Sequence, residues 1–127
     1  KQRIDPGLER LRSVELPPFR AAVEAGVASI MTAHVLFPAL DAERPATLAP
    51  EVMRLLREEL GYAGVVFSDD LEMKAVADHY SPHELVAGSF AAGVDALLVC
   101  RSRRCAAKCS SRSSHSAAPG SPPRWPG

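Results

Sequence analysis

Residues 61–80, GYAGVVFSDDLEMKAVADHY, contain an apolar run that ends in two adjacent carboxylates, Asp69 and Asp70. Taking charge out of water is costly, so two acids at the end of a buried-looking segment call for a use. One use is chemical: a carboxylate at a strand end can serve as a nucleophile or as a proton-transfer base. The other is architectural: Asp is a strong helix N-cap, and an acid at a helix start gains from the helix dipole. Successive side chains of a strand point to opposite faces, so only one of the pair can face a pocket above the strand end. Parity does not say which one, and it leaves open that both acids are caps or solvated loop residues. His34, near the end of the apolar run VASIMTAHV, is the second candidate. A histidine in that place is either a satisfied structural residue or part of a site.

The remaining chemistry-bearing side chains are less suggestive. All three cysteines, Cys100, Cys105 and Cys109, lie at or beyond the end of the last apolar run. The rest of the chain has no cysteine to bridge, so no disulfide framework is expected there. With His115 they could form a zinc set, but the spacing fits no standard short-loop pattern, and neither a metal nor a cofactor is expected. No Gly-rich phosphate loop follows any apolar run, which disfavours a nucleotide-binding role.

These candidates need elements to hold them. The 127 residues are enough for one domain, and an apolar content of 46% is enough for a core. Up to Cys100 there are nine Lys and Arg against fifteen Asp and Glu, a net of −6. Such a body offers no basic stripe to a nucleic acid. Beyond Cys100 there are six basic residues and no acid, in a Ser-, Arg-, Ala-, Pro- and Gly-rich stretch without apolar periodicity. Residues 101–127 are therefore expected to be a disordered basic tail, apart from a folded unit over 1–100. No run reaches the roughly eighteen apolar residues of a membrane span, and no signal peptide is visible. The chain opens on Lys1, so a missing upstream part is expected.

Within 1–100 one phrase recurs three times: helix, glycine, apolar strand. Leu8, Leu11 and Val14 hint at a first helix. PPFRAAVEAG enters a helix on its prolines and leaves it at Gly26, before the strand VASIMTAHV. FPALDAERPATLAP is loop-like, and Thr47 and Pro50 lead into the helix EVMRLLREELG. Then come the strand Val65 to Ser68, the acids, a helical region from about Leu71 broken near Ser81-Pro82, a helix to Gly93, and the strand VDALLVC. Strands starting near 27, 64 and 94 are 37 and 30 residues apart, about one βα unit each. Continuously apolar strands belong to parallel sheets covered on both faces. The expected class is α/β, with about three units of a (β/α)8 barrel, in which polar residues at the C-terminal strand ends line the active site.

LLREELGYAGVVFSDDLEM resembles the nucleophile signature of glycoside hydrolase family 3, on Leu55, Leu56, Arg57, Glu59, Gly64, Val65, Val66, Phe67, Ser68 and Asp69. ELPPFRAAVEAGVASIMTAHV and ERPATLAP resemble the family's bacterial β-N-acetylhexosaminidase branch, so that the likeness covers about residues 8 to 100. The resemblance implies a TIM barrel, with Asp69 as nucleophile and Asp70 left to cap the following helix. It implies His34 near the sugar, as a substrate-binding residue. The implied substrate is a terminal β-linked N-acetylglucosaminide, hydrolysed with retention in bacterial cytoplasmic cell-wall recycling. The branch draws its acid from an Asp-Ser/Thr-His loop and binds sugar with a Lys-His-Phe-Pro-Gly-His-Gly segment. Neither occurs in this chain, so these residues are expected to be an inactive portion of the barrel. The competing expectations are a non-catalytic barrel fragment, and an unrelated barrel lyase using Asp69 as base. No lysine stands at a strand end, which argues against Schiff-base chemistry.

Overall fold

A computed structural model describes residues 2–5 and 7–100. The expected tail over 101–127, with Cys105, Cys109 and His115, lies outside the described residues. In chain order the elements are β1 (Gln2–Arg3), α1 (Leu8–Arg10, continuing as a π-helical turn over Leu11–Glu15), α2 (Pro17–Glu24), β2 (Ser29–Met31) and β3 (Val35–Leu36). A 3₁₀ turn over Ala46–Leu48 leads into α3 (Pro50–Arg54, continuing as a second π-helical turn over Leu55–Glu59). Then follow β4 (Val65–Asp70), α4 (Lys74–Ala77), α5 (Pro82–Ala92) and β5 (Ala96–Leu98). The protein is α/β, and its main sheet is parallel in the order β2-β4-β5.

β4 is central because it is the only one of the three with a neighbour on each side. Ser29, Ile30 and Met31 pair with Val65, Val66 and Phe67; Phe67 pairs with Ala96 and Asp70 with Leu98. Burial alternates along β4 up to Ser68, with Val66 and Ser68 fully buried and Val65 and Phe67 only partly so. Val66 packs with Leu11, Leu16, Met53, Leu56, Leu60, Tyr62, Ala92 and Val94, so α1, α3 and the end of α5 cover one face of the sheet. The opposite face carries Met31, which is 56% exposed. A second cluster, Leu48, Leu71, Val76, Leu85 and Val86, packs the 3₁₀ turn, α4 and α5 around the chain just beyond β4.

Several expected boundaries move. VASIMTAHV is not one strand: β2 joins the main sheet, while β3 pairs in parallel with β1 in a separate two-stranded sheet. In α1 the residues that reach the core are Leu11 and Leu16, whereas Leu8 and Val14 are exposed. Their spacing of five suits the wider π turn, closed by the N–H of Leu16 on the carbonyl of Leu11. The N–H of Leu60 closes on Leu55 in the same way. α5 runs as expected, with a capping box between Ser81 and Glu84 and Gly93 as a left-handed C-cap at φ 107°. A β-carbon would resist that conformation. Gly26 and Gly61, the other two breaks in the repeated phrase, also have positive φ.

The helical region expected from Leu71 shortens to α4, whose N-cap is Met73 with no side-chain cap. The expectation that Asp70 caps this helix is therefore corrected. β4 extends through both acids, and Asp70 Oδ1 accepts the N–H of Glu72 in the turn and that of Cys100 just beyond β5.

Candidate active site

Asp69 and Asp70 are the last two residues of β4, at its C-terminal end, and both are partly buried. Between Phe67 and Asp70 the pairing with β5 slips by one residue, so β4 fits three steps against two of β5. Such bulges re-aim side chains at strand ends. Here the two residues flanking Asp69 turn to β5 and the chain just beyond it: Ser68 Oγ accepts the N–H of Leu98 at 3.0 Å, and Asp70 Oδ1 accepts the N–H of Cys100 at 3.2 Å. Asp70 Oδ1 also accepts the N–H of Glu72 at 3.1 Å, which closes the turn after the strand.

Asp69 is used differently. Its Oδ1 accepts the N–H of Asp70 at 2.7 Å, and its other oxygen has no partner among the described residues. Asp70 Oδ1 thus carries two amides, from the turn and from just beyond β5, whereas Asp69 Oδ1 carries only that of its own neighbour; the second oxygen of each acid has no partner among the described residues. The second oxygen of Asp69 can attack an electrophilic carbon or accept a proton.

His34 lies just after β2, 4% exposed, and bridges two elements. Its Nε2 donates to the carbonyl oxygen of Asp70 at 2.9 Å, and its Nδ1 lies 2.9 Å from Thr47 Oγ1 in the 3₁₀ turn. Both ring nitrogens are engaged within the protein. The expectation that His34 binds substrate finds no free ring nitrogen to act through; its contact is with the backbone of the residue after Asp69.

Sequence reasoning missed the hydroxyls behind this histidine. Thr47 is fully buried; it lies 2.9 Å from Thr32 Oγ1 and 3.2 Å from the carbonyl of Ala33. Ser68 is likewise fully buried. Threonines fifteen residues apart carry no periodic signal, and Thr47 had stood out only as the approach to a helix.

At the opposite end of β4, Arg57 donates to the carbonyls of Tyr62 and Gly64 and to the carboxylate of Asp95. Asp95 also accepts the N–H of Val66 at 2.8 Å. This cluster fixes where β4 begins and stands apart from the acids. A depression on α1, lined by Leu8, Glu9, Arg12 and Ser13, includes no residue of β4. Among the described residues no three of His, Cys, Asp and Glu are placed to hold a metal ion. Among them, too, no helix is long and apolar enough to cross a membrane.

Residues 2–113 match the family model described as the glycosyl hydrolase family 3 N terminal domain. A β-hexosaminidase of Stenotrophomonas maltophilia is 42% identical over 99 residues, covering 76% of this chain and 29% of the relative. A family 3 β-N-acetylglucosaminidase structure from Paenibacillus superposes with a TM-score of 0.78 at 44% identity, covering 85% of this chain and 21% of that one. The Thermotoga maritima β-N-acetylglucosaminidase gives a TM-score of 0.81 at 32% identity, covering 88% and 25%. The chain thus spans less than a third of the length of each of these relatives.

Proposed function

The chain belongs to glycosyl hydrolase family 3, and from that premise we propose that it is the nucleophile-bearing part of a retaining β-N-acetylhexosaminidase. Residues 1–100 would be about three of the eight units of a catalytic barrel, followed by the basic segment 101–127 as a tail. The substrate would be a terminal β-linked N-acetylglucosaminide, in peptidoglycan turnover in the bacterial cytoplasm. The observation that carries this reading is the asymmetry of the two acids. Asp70 Oδ1 holds two amides of the fold, whereas Asp69, in the family's nucleophile position, holds only the amide of its own neighbour and keeps its second oxygen for chemistry.

The chemistry follows from that oxygen. Asp69 attacks the anomeric carbon as the aglycone oxygen leaves, forming a covalent glycosyl-enzyme with inverted configuration. Water then attacks the same carbon, Asp69 leaves, and the second inversion restores the original anomer. Both departures and attacks need a proton donor and acceptor about 5 Å from Asp69. His34 is poorly placed for that task, since its ring is buried and both nitrogens are bound. The general acid would come from a segment this chain's sequence does not contain, so the 127 residues alone should turn over no unactivated glycoside. His34 would serve the sugar site through its hold on Asp70.

The test is a graft. Residues 2–100 replace the matched segment of the Stenotrophomonas β-hexosaminidase, and the product is assayed on a chromogenic β-N-acetylglucosaminide. Hydrolysis with retained anomeric configuration is expected, with a loss of at least about 10³-fold on Asp69→Asn and a far smaller loss on Asp70→Asn. A folded graft that works equally well with Asn at position 69 overturns the assignment.

A further inference from the structure

We propose that Thr47, with Thr32 behind it, is a positioning residue for Asp69, acting through His34 and the backbone of Asp70. The inference rests on the reading of Asp69 as nucleophile.

Proton counting carries the argument. The carbonyl of Asp70 can only accept, so the proton on His34 must sit on Nε2. In the neutral ring Nδ1 is then an acceptor, and Thr47 Oγ1, 2.9 Å away, offers it the one hydroxyl proton that it also presents to the carbonyl of Ala33 at 3.2 Å. Thr47 has one proton, so at its 2.9 Å contact with Thr32 it must accept. The two end contacts are thus fixed in direction, Thr32 to Thr47 and His34 to the Asp70 carbonyl, and with Nδ1 as acceptor the middle one runs from Thr47 to His34 and completes the chain. Bonds aligned donor to acceptor polarise one another, and burial away from water strengthens each. The carbonyl of Ala33, 3.2 Å from Thr47, gives that hydroxyl a second acceptor if the ring takes up a proton. The donation from Nε2 survives in either state.

What the chain holds is Asp70, from which the next bond leads to the acid. The carboxylate of Asp70 is tied to Glu72 and Cys100, its carbonyl to His34, and its N–H points at Asp69 Oδ1. Fixing Asp70 on these sides fixes the amide that orients the Asp69 carboxylate. A second support of this kind, remote from the reacting atom, is how a side chain is held to the tolerance catalysis needs.

The first measurement needs no variant: ring ¹⁵N spectra of His34 in the purified chain. A protonated Nε2 with Nδ1 as acceptor is expected, and the opposite tautomer overturns the proposal. The second is amide exchange in Thr47→Val and Thr47→Ser. Losing one buried donor should speed exchange at Asp70 and Glu72 by about tenfold in Thr47→Val, with recovery in Thr47→Ser. The amide of Val66, held by Asp95 at the other end of β4, should keep its protection. Uniform loss of protection that includes Val66, or no change at Asp70 and Glu72, overturns the positioning role. Neither readout involves turnover, so failure here is distinct from failure of Asp69 in the grafted enzyme.

Discussion

The guanidinium of Arg57 meets the carboxylate of Asp95 at 2.6 Å across 38 residues of chain, and the same side chain donates to the carbonyls of Tyr62 and Gly64. It also lies over the Tyr62 ring, 5.4 Å from the ring centre. The arginine of the signature thus does not serve the acids; it ties the end of α3, the entry to β4 and the entry to β5 into one joint. The ion pair is partly solvated, with Arg57 29% and Asp95 47% exposed, so most of its value lies in the carbonyl bonds. Arg57→Ala should cost about 1–2 kcal/mol in urea unfolding, and Arg57→Lys nearly as much, because one ammonium cannot reproduce the fork. An unchanged unfolding midpoint for Arg57→Ala would remove the joint from the account.

Gly64 stands where this joint leaves no room for a side chain. A β-carbon there would lie 2.6 Å from the Tyr62 ring and 2.8 Å from the carbonyl oxygen of Ala28. The ring could swing, but the carbonyl belongs to the backbone leading into β2. Gly64→Ala is expected to destabilise by about 1–3 kcal/mol, by overpacking. The Tyr62→Ala background should relieve only part of this, since the Ala28 contact persists; full relief would place the whole clash on the ring.

Much of the fold was legible in the sequence, and the reasons are local. Each helix–glycine–strand phrase stops its helix at a glycine of positive φ, Gly26, Gly61 or Gly93, and those stops were read from the sequence, whereas the capping box of Ser81 and Glu84 was not. What else escaped depends on partners distant in sequence. The split of VASIMTAHV follows from β3 pairing with β1 some thirty residues earlier. The π turn of α1 follows from Leu11 and Leu16 meeting a core that includes Val66. At the site, Asp69, Asp70 and His34 stood out by type and place. Their division of labour depends on amides at Glu72 and Cys100 and on a hydroxyl at Thr47, and no spacing rule points to these.

Ser89 offers a test of packing on α5. It is fully buried and its hydroxyl has no hydrogen-bond partner among the described residues. A buried polar group without a partner costs free energy that its removal returns. Ser89→Ala should leave stability unchanged or raise it by about 1 kcal/mol, read as a higher midpoint in thermal unfolding. A clear loss would mean that the hydroxyl is satisfied in solution.

Acid should loosen the loop that delivers Thr47. Asp41 accepts the N–H groups of Glu43 and Arg44 and the Arg44 guanidinium, all just before the 3₁₀ turn. Burial pushes its carboxyl up, but the two amides and Arg44 outweigh it, and the net pKa lies below the ordinary 3.8. A carboxylate with a lowered folded pKa contributes stability that is fully present above 3.8 and is lost as pH falls through the folded value. Asp41→Asn should therefore flatten the acid limb of stability below about pH 4, while costing about 1 kcal/mol at neutral pH. Identical acid limbs in both proteins would show that Asp41 does not couple to folding.

The two acids themselves should separate stability from chemistry. Asp70 supplies acceptors to the amides of Glu72 and Cys100, so Asp70→Ala leaves two donors unpaired at the end of the sheet. One to three kcal/mol per stranded buried group is usual, and partial exposure here puts the expected loss at about 1–2 kcal/mol. Asp69→Asn keeps a carbonyl oxygen for the N–H of Asp70 and removes only a negative charge that the fold leaves unmatched. Residues kept for chemistry are commonly neutral or costly to stability, so Asp69→Asn should be as stable as the parent or slightly more so. Urea unfolding of the two variants beside the unaltered chain makes the comparison, using the purified protein without any substrate. If Asp69→Asn proves the more destabilising, the free oxygen is structural, and the assignment of the two acids must be exchanged.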